Sequence, residues 1–575
     1  MAPLTPVSDK TRMPGAKTVT LPIGGPILSG RLPAGVQPVR PDHHDIAAAA
    51  LPVRPEHGDL DFFGQTLRSF EDNIVLTAQA HSRYLDLSQT MARSFAEALE
   101  FQSDLIAQAV AAGDPLLMDA LVIDRPFACD PATVPATRSL PRSPSPATPM
   151  AQPSPAPVFK PAVAPRPEPA FSREMCMEFA IGSIGKMLGP MFDVVDTYKV
   201  RVRLPDEPLM LVDRIMSVDG EKGSLKSGTV VTEHDVLPGA WYLDGGRCPV
   251  CISIEAGQAD LFLCSYLGID LAVKGKRSYR LLDAVAEFHS GLPRPGDTIR
   301  YVIDIDRFIN QGETYLFFFR FNGYIGDRHV ISMRNGCAGF FTEKEVKDSG
   351  GIILTAEETA HIPGKIASDF KELIPFFNTG ETWHLTDDQV DALRQGDAEG
   401  AFGPVFKNKR ISPSMVIPGG RMKLVDRVLE IDPAGGRYGL GSIRAQADIH
   451  PDDWFLTCHF VDDMVMPGTL MYECCMHTLR IFTMRMGWIT DLTDVVCEPI
   501  PNVKSVLKCR GPVTVATKHV FYKVDIKEIG YNPEPYVLAD AHMYAHDQHI
   551  VMFRDMSMKL SGVTRGDIER YWGIV

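Results

Sequence analysis

One stretch of the 575-residue sequence concentrates groups able to move protons: Cys458-His459-Phe460, then Met466-Pro467-Gly468, then Tyr472-Glu473. A histidine titrates near neutrality, so it can act as base or acid at physiological pH. A proline just before an apolar run marks a helix start. The free N–H groups there, with the partial positive charge of the helix end, can hold a developing oxyanion, which assigns that role to the Gly468 amide. Glu473 lies six residues past Pro467, in the second helical turn. A histidine, a desolvated carboxyl and an oxyanion donor are what proton removal alpha to a thioester and departure of a beta-hydroxyl require. An isolated His-Phe would be read as an ordinary loop or core pair; the whole string argues otherwise.

These groups must be positioned by a repeated unit. Leu211-Val-Asp-Arg-Ile returns as Leu424-Val-Asp-Arg-Val, Ile303-Asp-Ile as Val524-Asp-Ile, and Ser332-Met-Arg as Ser557-Met-Lys. The offsets are 213, 221 and 225, so a unit of about 140 residues occurs twice in the same order. Each copy has a proline-marked apolar helix, expected over 250–267 and 468–486, apolar on most faces and therefore buried on most sides. Alternating segments such as 298–306, 314–322 and 517–526 read as strands. The picture is an α+β unit, one buried helix wrapped by an antiparallel sheet, present twice. The units are expected at 171–345 and 413–565. A joining segment, 346–412, has candidate helices at 368–374 and 386–394.

Aligned on its own proline, the first copy reads Trp241-Tyr242 through Pro249 to Glu255. Glu255 stands six residues past Pro249, as Glu473 does past Pro467, but Trp241 occupies the place of the histidine. The first copy is therefore not a complete site by itself. His234 is nearby but seven residues too early, and is read as a surface-loop histidine.

The His-Phe, Met-Pro-Gly and acid string resembles the 3-hydroxyacyl-carrier-protein dehydratases of the hotdog fold, of the FabA/FabZ kind. The duplication, with Arg201-Val-Arg-Leu-Pro and the nearby Leu-Val-Asp-Arg, resembles the dehydratase region of polyunsaturated fatty acid and polyketide synthases. The resemblance covers roughly residues 172–563 and implies a double hotdog. It also implies a lyase that removes water from 3-hydroxyacyl thioesters on acyl carrier protein, giving trans-2-enoyl thioesters. In hotdog dimers of that family the histidine of one half faces the acid of the other. Carried over, His459 is the base and Glu255 the preferred acid over Glu473, with the Gly468 amide on the thioester carbonyl. The implied mirror site would pair Trp241 with Glu473 and be inactive. The acyl chain would lie between the two helices, with Pro467, Phe460, Tyr472, Cys474 and Trp241 as candidate substrate-binding residues. Both copies have Glu where the FabA branch has Asp, and the glutamine often found four residues past the acid is His477 in one copy and displaced to Gln258 in the other. Whether double-bond isomerisation is added therefore stays open. The implied partners are acyl carrier protein and other synthase subunits or domains; no cofactor beyond the carrier's phosphopantetheine is implied. Two alternatives are a hotdog acyl thioesterase, against which His459 counts, and a non-catalytic acyl-binding scaffold, which the Trp241 copy would suit.

Other signals weigh less. Cys248-Pro-Val-Cys251 has redox spacing without a thioredoxin-like context, and Cys458 beside His459 is expected to point away from it. Lys274, Lys276, Arg277 and Arg280 form a basic cluster, expected as a solvated turn or a carrier-steering patch. No dinucleotide fingerprint or zinc-ligand spacing is present in the sequence, so no nicotinamide cofactor and no metal is expected.

Hydrophobic residues make up 45% and charged residues 23%, which excludes a wholly disordered or collagen-like chain. A net charge of -14 argues against a general nucleic-acid binder. The eleven cysteines read as reduced thiols, and no window is apolar enough for a membrane span or signal peptide, giving a cytoplasmic expectation. Residues 1–58, rich in Pro, Gly and Ala, read as a flexible arm. Residues 59–115 show helical periodicity, including Phe70, Ile74, Tyr84 and Leu87, and could carry a homodimer contact. Between Pro126 and Pro169 fourteen prolines mark a spacer, assigned to 124–170.

Overall fold

A computed structural model describes residues 18–20, 29–31 and 167–574, except Asn378. The chain divides after Pro155. In the first part, within the expected arm, Thr18–Thr20 pairs antiparallel with Ser29–Arg31. The helical segment expected over 59–115, and the spacer as far as residue 166, lie outside the described residues.

The second part holds the repeat. The first unit contributes strands β1 (Arg214–Gly220), β2 (Gly228–Asp235), β3 (Ser278–Phe288), β4 (Thr298–Gln311), β5 (Thr314–Ile325) and β6 (Arg328–Phe341). The second contributes β7 (Arg427–Asp432), β8 (Ser442–Asp448), β9 (Lys504–Cys509), β10 (His519–Gly530), β11 (Tyr536–Ala545) and β12 (Gln548–Ser561). Within the first unit the order is β1-β2-β4-β5-β6-β3, and within the second β7-β8-β10-β11-β12-β9. The two orders are the same, and the units join edge to edge where β3 pairs antiparallel with β9. The seam is centred on Val285 opposite Val506, flanked by Glu287 opposite Lys504 and Asp283 opposite Lys508. Opposite charges on facing strand residues favour this register.

The repeated tetrapeptide explains itself as structure. Asp213 accepts the Asp235 N–H at 2.7 Å while Arg214 reaches the Asp235 carboxylate with two nitrogens. Asp426 accepts the Asp448 N–H at 2.8 Å while Arg427 reaches the Asp448 carboxylate with two nitrogens. In each unit the Asp-Arg pair ties the entry of the first strand to the end of the second.

The sheet wraps helices α1 (Val250–Glu255) and α2 (Asp260–Tyr266) in the first unit and α4 (Gly468–Arg485) in the second, with α3 (Trp454–Cys458) ahead of α4. Phe317, Phe319 and Phe321 alternate along β5 and point into the core, as a strand period of two requires. Every residue of α4 from Thr469 to Arg485 is buried. The helix expected over 250–267 is instead broken at residues 256–259. There Gly257 lies so close to Tyr301 and Phe321 that a Cβ would come within 2.9 Å of both rings. The helix expected over 368–374 is turn and loop. The Glu372 carboxylate accepts the Phe377 N–H at 2.8 Å, a local bond that competes with helix. The other expected helix runs Asp387–Arg394 behind a Thr386/Gln389 capping box. Across 346–412, Lys365–Ile366 pairs parallel with β10 and Trp383–Leu385 pairs with β7.

Candidate active site

His459 closes α3. Its Nδ1 lies 2.8 Å from the Val465 carbonyl, which can only accept, so Nδ1 carries the proton and Nε2 the lone pair. The Val465 N–H donates back to the His459 carbonyl at 2.9 Å, closing the loop 459–465 on itself. Three arginines of the first unit hold this loop. Arg201 reaches Asp462 at 2.8 and 3.1 Å, Arg203 reaches Asp462 at 2.7 Å, and Arg280 pairs with Asp463. Arg203 is buried and also donates to the carbonyls of Phe179 and Gly182. Burial alone would raise the Asp462 carboxyl, but the two guanidinium groups outweigh it and hold it below the usual range. The Arg201-Val-Arg-Leu-Pro segment is thus a clamp on the histidine loop of the other unit.

Facing His459 is Glu255, from the last turn of α1 in the first unit. Its Oε1 stands 3.7 Å from His459 Nε2, and its Oε2 accepts the Thr469 hydroxyl at 2.5 Å. The two residues are 8% and 9% exposed, so imidazole and carboxyl meet in a nearly dry place. That burial pushes the imidazole pKa below its usual value, against the opposing pull of Glu255 and the Val465 carbonyl. A neutral imidazole with a free Nε2 is the form that accepts a proton. Beside the pair, Gly468 opens the 18-residue helix α4 behind Pro467. A Cβ at 468 would have only Leu281 Cδ2 within 4 Å, at 3.9 Å, so the helix end faces open space. That space is a cavity of about 130 Å³ whose wall includes Glu255, Gln258, Leu281, His459 and Gly468.

Glu473 occupies the equivalent place in the second unit and has different company. Its Oε2 accepts the Cys251 N–H at 3.1 Å, and its Oε1 lies 3.5 Å from Nε2 of His477. Burial would raise this carboxyl, yet His477, the Cys251 amide and Arg480 outweigh it and hold it low. Arg480, itself buried, pairs with Asp244 and donates to the carbonyls of Met415 and Val416 at 3.0 and 2.9 Å. Ligand atoms of Asp244, Glu473 and His477 lie within 4.8 Å of one another, a set that could hold a cation. The Arg480 guanidinium already supplies positive charge to Asp244, which opposes one.

The remaining candidates fall as follows. Pro467 caps α4. Phe460 is buried with its ring centroid 3.9 Å from that of His459, packing on the imidazole rather than lining the cavity. Tyr472 lines a second cavity against Phe553, and Cys474 is fully buried. Trp241 lies apart from these cavities: its indole N–H donates to the Pro208 carbonyl at 3.1 Å and its ring packs edge-on against Trp454. The expected mirror pairing of Trp241 with Glu473 is thus replaced by Asp244, His477 and Arg480 around that carboxylate. His234 is not a surface-loop residue. It is buried on β2, with Nδ1 3.0 Å from Asp213 and Nε2 2.9 Å from the Tyr242 hydroxyl. Burial pushes the thiols of Cys248 and Cys458 up to about 12, so neither is a ready nucleophile. Of the basic cluster, Arg277 is bound to Glu345 at 2.7 Å and Arg280 to Asp463, leaving Lys274 and Lys276 at the surface of the turn.

Sequence reasoning missed Thr469, the Arg203–Asp462 clamp and the Arg480–Asp244 pair. The Arg-Val-Arg and Asp462-Asp463 runs were visible signals, but their partnership spans 259 residues and two units.

The FabA-like domain family matches residues 417–554. A curated relative, a polyunsaturated fatty acid synthase polypeptide of Thraustochytrium sp., is 33% identical over 408 residues, 70% of this chain and 27% of that protein. The chain therefore spans about a quarter of that relative's length. Among solved structures, a dehydratase domain from the CurJ module of curacin polyketide synthase is 7% identical, covering 61% of this chain and 97% of its own, with a TM-score of 0.32. The tesB protein of Mycobacterium avium subsp. paratuberculosis is 9% identical, covering 57% and 92%, with a TM-score of 0.27. Residues 417–554, which carry His459 and Glu473 but not Glu255, are similar to the FabA-like domain family, and a larger part of the chain is similar to a polyunsaturated fatty acid synthase polypeptide.

Proposed function

We propose that the protein is a lyase that dehydrates 3-hydroxyacyl thioesters carried on the phosphopantetheine of an acyl carrier protein, within a fatty acid or polyketide synthase. The observation that carries this reading is the 3.7 Å pair of His459 Nε2 and Glu255 Oε1 beside the open N-terminus of α4. The thioester oxygen binds the Gly468 amide, which stabilises the enolate-like oxygen as it gains charge. His459 Nε2 removes the alpha proton, its imidazole held by the Nδ1–H bond to Val465. Glu255 begins the cycle with a proton on Oε1 and delivers it to the departing beta-hydroxyl, which leaves as water. The proton gained by His459 then crosses to Glu255 and restores both groups. Thr469 positions the carboxyl by occupying Oε2, so that Oε1 is the oxygen facing the histidine.

The experiment is mass-spectrometric analysis of a 3-hydroxyacyl pantetheine thioester and the same acyl group on carrier protein, after incubation with the full chain. Enoyl thioester, lighter by the mass of one water, is expected. Free acid would replace this reading with a thioesterase, and unaltered substrate in both forms would leave the acyl-binding scaffold.

A further inference from the structure

The catalytic cavity does not end at the histidine. Gln258, Leu281 and Gly468 also line a second cavity of about 30 Å³, which lies along the β3–β9 seam with Ala286, Met333 and Phe553 in its wall. At its far end Val250 and Pro499 separate it from a third space of about 20 Å³ beside Glu473 and Arg480. Each exceeds the ~10–15 Å³ that a single water needs.

The two ends of the middle cavity are equivalent positions of the repeat. Gly468 and Val250 are each the first helical residue after a capping proline, Pro467 and Pro249. On the active side the residue has no side chain and borders both the first and the middle cavity. On the silent side a buried valine borders both the middle cavity and the third space. Resting on the dehydratase reading above, we propose that the middle cavity is the chamber for the distal carbons of one acyl chain, that Gly468 is its doorway, and that Val250 is its stop and sets the chain-length limit. The silent half is thus the floor of the substrate site of the active half. Its wall of alanine, methionine and phenylalanine suits a saturated or unsaturated hydrocarbon tail rather than a polar one. Removing or adding a methylene-sized step in an apolar pocket changes discrimination by about 10-fold or more.

The test compares 3-hydroxybutyryl, 3-hydroxyoctanoyl and 3-hydroxydodecanoyl pantetheine with wild type, Ala286→Leu and Val250→Ala, measuring kcat/KM together with binding of the matching inert enoyl amides by calorimetry. Ala286→Leu fills the chamber and is expected to lower the ratio of longer-chain to butyryl kcat/KM about 10-fold or more. Val250→Ala removes two methyl groups from the far wall of the chamber and is expected to move the preferred length upward. Thermal melting shows which variants are folded; should Ala286→Leu not fold, Val250→Ala decides alone. A length profile the same in wild type and Val250→Ala overturns the proposal. Length-dependent amide binding that shifts with Val250→Ala, without turnover of any substrate, would keep the chamber and overturn the dehydratase reading instead.

Discussion

Glu255 and Glu473 are the same residue of a repeated unit, and each sits at the helix start of the other unit, Glu255 at Thr469 and Glu473 at Cys251. What separates them is the third partner. Glu255 faces a histidine whose second nitrogen is free, beside a cavity. Glu473 faces an internal charge cluster of His477, Asp244 and Arg480. With a histidine at the position of His459 in only one of the two copies, the proposed reading gives proton transfer to one half alone. The FabA-like match, confined to 417–554, therefore contains the proposed base without the proposed acid.

The largest expected break in this contrast is His459→Ala. Removing a general base costs roughly 10²–10⁴-fold in rate, so single-turnover dehydration normalised to the folded fraction should fall by that amount. Arg203→Ala comes next. It strips a buried charge from Asp462 and should cost about 3–5 kcal/mol of stability by denaturant titration, with kcat falling as the histidine loop loses its clamp. Thr469→Val, which removes the hydroxyl but keeps the shape, should lower kcat about 10-fold, and Thr469→Ser should restore it. A merely structural role would not distinguish these two. The pH dependence sharpens the same picture. Burial lowers the pKa of His459, so the base stays neutral to more acidic pH than a free histidine, and the acid limb of kcat should have its midpoint below ~6.5. A midpoint above that value would contradict the buried, neutral base. The smallest effect belongs to Trp241→His in a His459→Ala background, which should restore no activity because position 241 packs against Trp454 rather than beside Glu473.

Much of this is legible in the chain. The repeat defines two units, and counting six residues from each proline makes Glu255 and Glu473 counterparts without any geometry. The strands expected from alternation occur at 298–311, 314–325 and 519–530, longer than or shifted from the periodic segments because ladder pairing carries past them. The rest depends on contacts that a linear reading does not supply. Gly257 reads as an interior helix residue, and only the approach of Tyr301 and Phe321 explains why the helix breaks there. Alignment puts Trp241 near the site, yet the Pro208 carbonyl and Trp454 draw it away. Arg480 stands in an apolar helix without a visible partner, and its Asp244 lies 236 residues away in the other unit. Relations within one helix turn can be read from spacing; charge partners between units cannot.

One composite site that uses the carboxyl of the first unit accounts for the contrast between Glu255 and Glu473. The most direct test is dehydration of a 3-hydroxyacyl thioester by Glu255→Gln and Glu473→Gln side by side, with rates normalised to the folded fraction. Glu255→Gln is expected to lose roughly 10²-fold or more while Glu473→Gln retains most of the wild-type rate. Loss on Glu473→Gln with retention on Glu255→Gln would place the acid in the second unit and contradict the composite site.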